Sequence, residues 1–170
     1  MQQKKICMLG AFAVGKTSLV RRYVDSIFSD AYLTTVGVKI DKRVVTVGDQ
    51  AVNLILWDIA GEDDVSAVRM SYLRGASGYF LVVDGTRAAT LDVARSIQRR
   101  AEDEIGSVPF TVLVNKLDVR EEWTVTDGDL AELERAGWSV MLTSARTGEG
   151  VEAAFCALTE RMFRPSPAAC

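Results

Sequence analysis

A glycine-rich loop between a strand pattern and a helix pattern constrains this chain more than any other feature. An apolar run at residues 6–9 leads into GAFAVGKT at 10–17, and apolar side chains at helical spacing follow. The loop matches G-x-x-x-x-G-K-[ST], in which backbone N–H groups and the start of a helix face a bound phosphate. We therefore predict a phosphate-binding loop, in which Lys16 reaches the terminal phosphates and the Thr17 hydroxyl ligates Mg²⁺. The predicted nucleotide contacts of this segment are Gly10, Ala13, Val14, Gly15, Lys16, Thr17 and Ser18.

A chance glycine-rich turn is the alternative for this loop, and the flanking strand and helix patterns argue against it. The rest of the chain repeats that alternation. Strand patterns cover residues 6–9, 36–47, 51–58, 78–84, 109–115 and 139–143, and helix patterns cover 16–24, 88–105, 127–136 and 150–163. This order predicts a parallel α/β sheet with helices on both faces, in which ligands bind beyond the carboxyl ends of the strands.

Composition excludes several classes of function. The chain of 170 residues is long enough for one domain, and its net charge of −3 argues against a basic nucleic-acid-binding surface. The sequence has no histidine, so histidine triads, bases and metal ligands are excluded, and any hydrolysis must rest on positioning and electrostatics. Three widely spaced cysteines indicate a reduced, cytoplasmic protein with buried thiols at Cys7 and Cys156. No apolar run approaches the roughly 20 residues that a membrane-spanning helix needs.

A second motif, DIAG at residues 58–61, ends the strand pattern at 51–58. A carboxylate at a strand end suits Mg²⁺, commonly through water, and Asp58 occupies that place. Gly61 would let its backbone N–H approach a γ-phosphate closely. Taken alone, D-x-x-G is as typical of a turn as of a phosphate site.

Two further loops follow the last two strand patterns. In NKLD at 115–118, the Asp118 carboxylate would accept hydrogen bonds from the N1–H and the N2 amine of guanine, two donors that adenine lacks. The Lys116 stem would cover one face of the base, and Asn115 would tie the loops together. In TSAR at 143–146, the Ala145 N–H would bind guanine O6, and Ser144 would orient Asp118. Each motif alone is an ordinary polar loop, but four in this order predict a site for phosphate, Mg²⁺ and guanine.

With these motifs, the chain resembles the Ras/Rab branch of small GTPases over nearly its whole length, from about residue 5 to 163. The segments YLTTVG at 32–37, WD at 57–58 and LRGASG at 73–78 add to the likeness. The resemblance implies a P-loop NTPase G-domain over residues 1–164, followed by a disordered tail at 165–170. Its fold would be a mostly parallel six-stranded sheet with one antiparallel edge strand and helices on both faces. Its function would be that of a molecular switch that binds GTP or GDP with Mg²⁺ and slowly hydrolyses GTP.

The resemblance also assigns residues beyond the four motifs. Thr35 would ligate Mg²⁺ and contact the γ-phosphate, and Phe28 would pack against the guanine or ribose, with a core position as its alternative. Catalysis would involve Lys16, Thr35, Gly61 and residue 62, and the base would also meet Arg146, which replaces the usual lysine. Effector, exchange-factor and activating proteins would bind through two switch regions, residues 28–39 and 61–73.

The sequence departs from the family pattern beside the predicted γ-phosphate. Glu62 stands where the family usually has a glutamine that orients the attacking water. A carboxylate cannot donate to the transition-state oxygens and places negative charge beside a reacting phosphate, so slow intrinsic hydrolysis is expected. Glu62 facing solvent, with catalysis supplied by another group or a partner's arginine, is the alternative. Phe12 would either crowd the γ-phosphate edge or fold over the switch as a packing residue.

The C-terminal segment PSPAAC at 165–170 shows neither a C-a-a-X signal nor a polybasic run. A truncated chain and a bacterial-type Ras-like protein without a membrane anchor both fit this ending. A GTP-binding scaffold with negligible hydrolysis is the alternative function, and single-turnover hydrolysis separates it from a timed switch. A small metabolic kinase is a third class, but the chain has no insertion long enough for an acceptor lid, and the guanine motif argues against it.

Overall fold

The computed structural model describes residues 1–28, 37–61 and 70–163. Within these ranges six strands and four α-helices follow in the order β1, α1, β2, β3, β4, α2, β5, α3, β6, α4, with two short 3₁₀ helices. The strands are β1 Gln2–Gly10, β2 Val38–Val47, β3 Gln50–Ile59, β4 Gly78–Asp84, β5 Phe110–Asn115 and β6 Ser139–Leu142. The α-helices are α1 Lys16–Asp25, α2 Ala89–Ile105, α3 Asp127–Arg135 and α4 Val151–Phe163, and the 3₁₀ helices are Met70–Leu73 and Leu117–Glu122.

The described strands form one sheet in the order β2-β3-β1-β4-β5-β6. Neighbouring strands run parallel except β2 and β3, which pair antiparallel from Val38 opposite Ile59 to Val47 opposite Gln50. A tight turn at Gly48, whose φ is +59°, joins those two strands. The predicted mostly parallel six-stranded sheet with an antiparallel edge strand is confirmed. Strand order reverses on either side of β1, and ligands bind at such switch points in parallel sheets.

Helices cover both faces of the sheet, and each face has its own core. On the face of α1 and α4, Tyr23 stacks on Phe155 with ring centroids 3.9 Å apart, and Phe80 meets Phe155 edge-on at 4.8 Å. On the face of α2 and α3, Leu81 and Ile97 belong to a second buried cluster. β4 is buried along its whole length because both of its faces lie under these cores. This packing fixes the carboxyl ends of the strands, where the predicted site lies.

Helix ends match local capping signals. The Thr126 side chain accepts from the Asp129 N–H while the Asp129 side chain accepts from the Thr126 N–H, so this capping box starts α3. Gly106 follows α2 with a φ of +74°, a conformation that suits glycine at the end of a helix. The predicted elements differ from the observed ones by a few residues at their ends. β1 begins at Gln2 rather than residue 6, because its polar start continues the parallel pairing with β3.

One prediction about the cysteines is wrong. Cys7 is buried in β1, as expected, but Cys156 is exposed. The buried stripe of α4 contains Ala154, Phe155 and Leu158. Position 156 is one residue beyond that stripe, a rotation of about 100° that turns its side chain toward solvent.

In the described part of the chain, no helix combines the length and apolarity needed to cross a bilayer.

Candidate functional site

The predicted phosphate loop curls tightly between β1 and α1. Gly10, Ala13 and Gly15 have φ values of +150°, +61° and +105°. A side chain at residue 10 would lie 2.5 Å from the Val82 carbonyl oxygen, and one at residue 15 would collide with the Asn115 amide. Glycine is therefore required at both positions by close packing as well as by backbone conformation. The loop leads directly into the start of α1 at Lys16, and a helix N-terminus is where an anion binds most readily.

Lys16 is buried at this helix start, with 5% of its surface exposed. Its ammonium donates to the carbonyl oxygens of Gly10 at 3.1 Å and Ala11 at 2.9 Å. Burial lowers the pKa of Lys16 to about 8, the carboxylate of Asp58 opposes that shift, and the cation of Arg87 adds to it. A desolvated cation is thus held inside the loop where the motif predicts the terminal phosphates.

Gly61 lies directly against the same lysine. A side chain at residue 61 would collide with the Lys16 ammonium and would lie 2.5 Å from the Ala11 carbonyl oxygen. The adjoining Ala60 N–H donates to the Gly37 carbonyl at 2.8 Å, so the ends of the two predicted switch regions meet here. The structure therefore brings Gly61 into contact with the phosphate loop, and the approach of its N–H to a γ-phosphate stays a prediction.

Two oxygen groups meet beside the start of α1. The Thr17 hydroxyl donates to Asp58 Oδ2 at 2.6 Å, and Asp58 is almost fully buried. An alcohol and a carboxylate are the hard donors that Mg²⁺ prefers, and this ion usually takes few protein ligands together with waters and substrate phosphates. The described residues therefore fit Mg²⁺. Thr35, the third predicted ligand, lies outside the described residues.

Asn115 connects three loops, as predicted. Its Nδ2 donates to the Val14 carbonyl at 3.1 Å, and its Oδ1 accepts from the Thr143 hydroxyl and the Ala145 N–H, both at 3.2 Å. Asn115 is 2% exposed, so these bonds are shielded from water. The phosphate loop and the loop after β6 are thereby fixed to the end of β5.

The predicted guanine groups also lie together. The Ser144 hydroxyl donates to Asp118 Oδ1 at 2.8 Å, which orients the carboxylate as the sequence suggested. The Ala145 N–H, predicted to bind guanine O6, donates to Asn115 in the structure. The Lys116 ammonium pairs with Asp84 Oδ2 at 2.6 Å, an acidic partner that the sequence interpretation did not include.

Arginines hold these loops in ways that sequence reasoning missed. Arg22, on α1, donates through Nε to the Ala145 carbonyl at 2.8 Å and through Nη2 to the Arg146 carbonyl. Arg87 donates to Asp84 and to the Phe12 carbonyl. The two carbonyls that Arg22 binds lie more than 100 positions away in the sequence, so no local pattern reveals these contacts. Asp84 did offer a signal, because it ends a buried strand at the same edge of the sheet as the predicted site.

The remaining predicted residues are only partly placed. Phe28 is half-buried against the core under α1 and α4, which agrees with its alternative position as a packing residue. Phe12 is 37% exposed at the phosphate loop. Glu62 lies outside the described residues, as do 29–36 of the first predicted switch region and 62–69 of the second.

Comparison with known proteins agrees with this geometry. The model of the Ras family matches residues 5–164. Ras-related protein Rab-21 of Geodia cydonium is 31% identical over 165 residues, which cover 96% of this chain and 72% of the relative. The GTP-binding protein yptV2 of Volvox carteri is 32% identical over 159 residues, covering 92% of this chain and 73% of the relative. Ras-related protein Rab-26 of Bos taurus is 34% identical over 164 residues, covering 93% and 63% respectively.

Proposed function

The chain belongs to the Ras family, and from this we propose that it is a small GTP-binding switch that binds GTP or GDP with Mg²⁺ and hydrolyses GTP. The relative yptV2 carries GTP binding in its name. We propose residues 1–164 as one G-domain. The single observation that carries the proposal is the set of hydrogen bonds from Asn115 to the phosphate loop and to the loop after β6. These bonds join the predicted phosphate loop to the loop after β6, which is predicted to contact guanine, and so support a single nucleotide site.

Guanine selection is proposed to rest on Asp118. Its Oδ1 accepts from Ser144, and this bond fixes the plane of the carboxylate. A fixed carboxylate can accept from both the N1–H and the N2 amine of guanine, whereas adenine would leave it unpaired in the site. Lys116, held by Asp84, would pass its stem along one face of the base. Arg146 and Ala145 would complete that end of the pocket.

The phosphate end is proposed to use Lys16, Thr17 and Asp58. Lys16 would exchange its bonds to the carbonyls of the loop for the terminal phosphate oxygens, since an ammonium with a lowered pKa gains most from a nearby anion. Thr17 and Asp58 would hold Mg²⁺, with Thr35 as the third protein ligand in the GTP state. When bound, Mg²⁺ would neutralise charge on the β- and γ-phosphates.

Partners are proposed to bind beside the two switch regions. Ile40 is 47% exposed on β2 and lies opposite Trp57 on β3, whose ring is tilted against that of Tyr72 at 6.3 Å. These three side chains would form an apolar surface beside the described ends of the switch regions at 28–39 and 61–73. Effectors, exchange factors and activating proteins would read the nucleotide state there, because a γ-phosphate orders the switch segments of GTPases and its loss releases them.

Hydrolysis is proposed to be slow because Glu62 replaces glutamine. We expect Glu62→Gln to hydrolyse bound GTP faster, on the order of tenfold, since the amide can donate to the transition state and removes a repelling charge. Single-turnover conversion of preloaded GTP measures this directly, with Glu121→Gln, an exposed change on the second 3₁₀ helix, as the matched control. An unchanged or lower rate of hydrolysis in Glu62→Gln would refute this explanation of slow hydrolysis. If the wild type also does not hydrolyse GTP, the scaffold alternative is favoured.

The proposed function is tested first by the nucleotide that the purified protein retains. Denaturation followed by chromatography should release near-stoichiometric guanine nucleotide. GDP would support a hydrolysing switch, and retained GTP would favour the scaffold alternative. Adenine nucleotide, or failure to bind even after addition of GTP and Mg²⁺, would contradict the proposal.

A further inference from the structure

The turn DGTR at residues 84–87, between β4 and α2, contacts both the phosphate loop at residues 10–17 and the NKLD segment at residues 115–118, which we call the guanine loop. The proposed function assigns no role to Arg87. The buried carboxylate of Asp84 organises the turn, because its Oδ1 accepts from the backbone N–H of Thr86 at 2.9 Å and from the hydroxyl of Thr86 at 2.7 Å. Its Oδ2 accepts from the Lys116 ammonium at 2.6 Å and from Arg87 Nε at 3.0 Å. Lys116, which belongs to the guanine motif, and Arg87, which belongs to none of the motifs, therefore both donate to Asp84 Oδ2.

Arg87 connects this carboxylate to the phosphate loop. While Nε binds Asp84, Nη2 of the same guanidinium donates to the Phe12 carbonyl at 2.8 Å. A guanidinium presents its donors in a rigid planar fork, so two acceptors are held at a fixed separation. A lysine has one ammonium on a flexible stem and cannot reproduce that arrangement.

The turn is itself fixed to the guanine loop. The Gly85 N–H donates to the Asn115 carbonyl at 3.1 Å, and the Gly85 carbonyl accepts from the N–H groups of Thr124 and Val125. A side chain at residue 85 would collide with the Trp123 ring, whose Nε1 donates to the Lys116 carbonyl at 2.8 Å. Arg87 therefore extends from a rigid support, not from a free loop.

The contact with Phe12 orients the next peptide N–H. In a trans peptide, the carbonyl of one residue and the N–H of the following residue point in opposite directions. A carbonyl of Phe12 held by Arg87 therefore turns the N–H of Ala13 away from the guanidinium. Ala13 has a φ of +61°, a conformation that alanine rarely adopts and that its surroundings must maintain. A phosphate loop depends on the direction of such N–H donors.

We propose that Arg87 is a positioning residue, which locks the Phe12–Ala13 peptide of the phosphate loop to the guanine loop through Asp84 and thereby slows nucleotide release. This inference rests on the proposed function, because it concerns the affinity of the same site. Arg87 reaches that site through its bond to the Phe12 carbonyl. The side chain is 42% exposed, so the ion pair with Asp84 alone would contribute little, and the effect depends on the bond to Phe12.

The test measures release of fluorescently labelled GDP from the full chain in the presence of Mg²⁺ and excess unlabelled GDP. Arg87→Ala should release GDP about three- to tenfold faster than the wild type, the effect of losing one charge-assisted hydrogen bond at a partly exposed site. Arg87→Lys should fall between the two. Arg99→Ala, an exposed change on α2, is the matched control and should release GDP at the wild-type rate.

A second measurement separates positioning from general loosening. Arg87→Ala should weaken GDP more than GMP, because the phosphate loop serves the β-phosphate that GMP lacks. Equal loss of affinity for GDP and GMP, or unchanged GDP release, would overturn the inference.

A second variant is used if Arg87→Ala does not fold. Arg87→Gln removes the charge and the planar fork of donors but keeps a polar side chain. If Arg87→Gln releases GDP at the wild-type rate, the inference is overturned equally. If the wild type binds no guanine nucleotide, the proposed function is overturned together with this inference. If the wild type binds tightly and the variants release GDP at the wild-type rate, only this inference is overturned.

Discussion

At the guanine end of the proposed site, the carboxylate that would select the base is held by another side chain, whereas at the phosphate end the buried lysine is held by backbone carbonyls. Ser144 orients Asp118, and Asn115 bonds three neighbouring groups. Lys16 instead donates to the carbonyls of Gly10 and Ala11, in the loop that would receive the phosphates. Asp118 can accept from guanine while it keeps its bond to Ser144, whereas Lys16 must exchange the carbonyls of the loop for phosphate oxygens. We infer that base selection is preorganised and that response to the nucleotide state is concentrated at the phosphate end.

The largest effect should come from the phosphate end. Lys16→Ala should weaken GDP binding by about 2 kcal/mol or more, a loss of at least roughly 30-fold, because it removes a buried cation from an anion site. Titration calorimetry measures this loss, with Lys42→Ala on the exposed side of β2 as control. The same change should leave the unfolding free energy of the nucleotide-free protein unchanged or higher, since burial already disfavours this charge. Wild-type GDP affinity in Lys16→Ala would break the comparison.

A substitution at the guanine end should change which base the site binds and leave the phosphate contacts intact. Asp118→Asn should weaken GDP by about 1.5–3 kcal/mol, because an amide offers a donor where guanine also has donors. Xanthine carries a carbonyl in place of the N2 amine, so XDP should bind the variant better than GDP does. Competition of both nucleotides against labelled GDP measures the reversal. Equal loss of GDP and XDP affinity would show that Asp118 supports the loop and does not select the base.

Much of this site was predictable because its residues follow strands in short motifs. The glycine loop, Asp58, Asn115 and Asp118 each stand directly after an apolar run, and a parallel sheet brings such positions to one edge. The fold class followed from the alternation of strand and helix patterns. The sequence interpretation did not include the 3₁₀ helix at Leu117–Glu122, because it lacks the periodicity of a longer helix.

The contacts of the arginines with distant backbone groups could not be predicted. Arg87 and Phe12 are separated by 75 positions, and Arg22 and Ala145 by 123, so their pairing depends on the packed sheet. Cys156 was misjudged because one position on a helix decides whether a side chain faces the core. The nucleotide and Mg²⁺ roles of all the predicted site residues stay predictions, and Thr35 and Glu62 also lie outside the described residues.

The smallest expected effect concerns Asp84, the buried carboxylate that pairs with Lys116 at the guanine end. Burial raises the pKa of Asp84, but hydrogen bonds from Lys116, Thr86 and Arg87 together outweigh it and hold the pKa below its usual value. A carboxylate with a lowered pKa stabilises the folded state fully above its unfolded pKa of about 3.9, and that contribution is lost as pH falls toward the folded value. Asp84→Asn should therefore cost roughly 1 kcal/mol at neutral pH, and the cost should shrink below about pH 4. Urea unfolding of both proteins between pH 7 and pH 3 measures the difference, in which the shared titration of Asp129 cancels. A difference that is constant with pH would mean that the charge of Asp84 does not hold Lys116 and Arg87 together, and the guanine end would then be fixed by its other bonds, among them those of Asn115, Ser144 and Arg22.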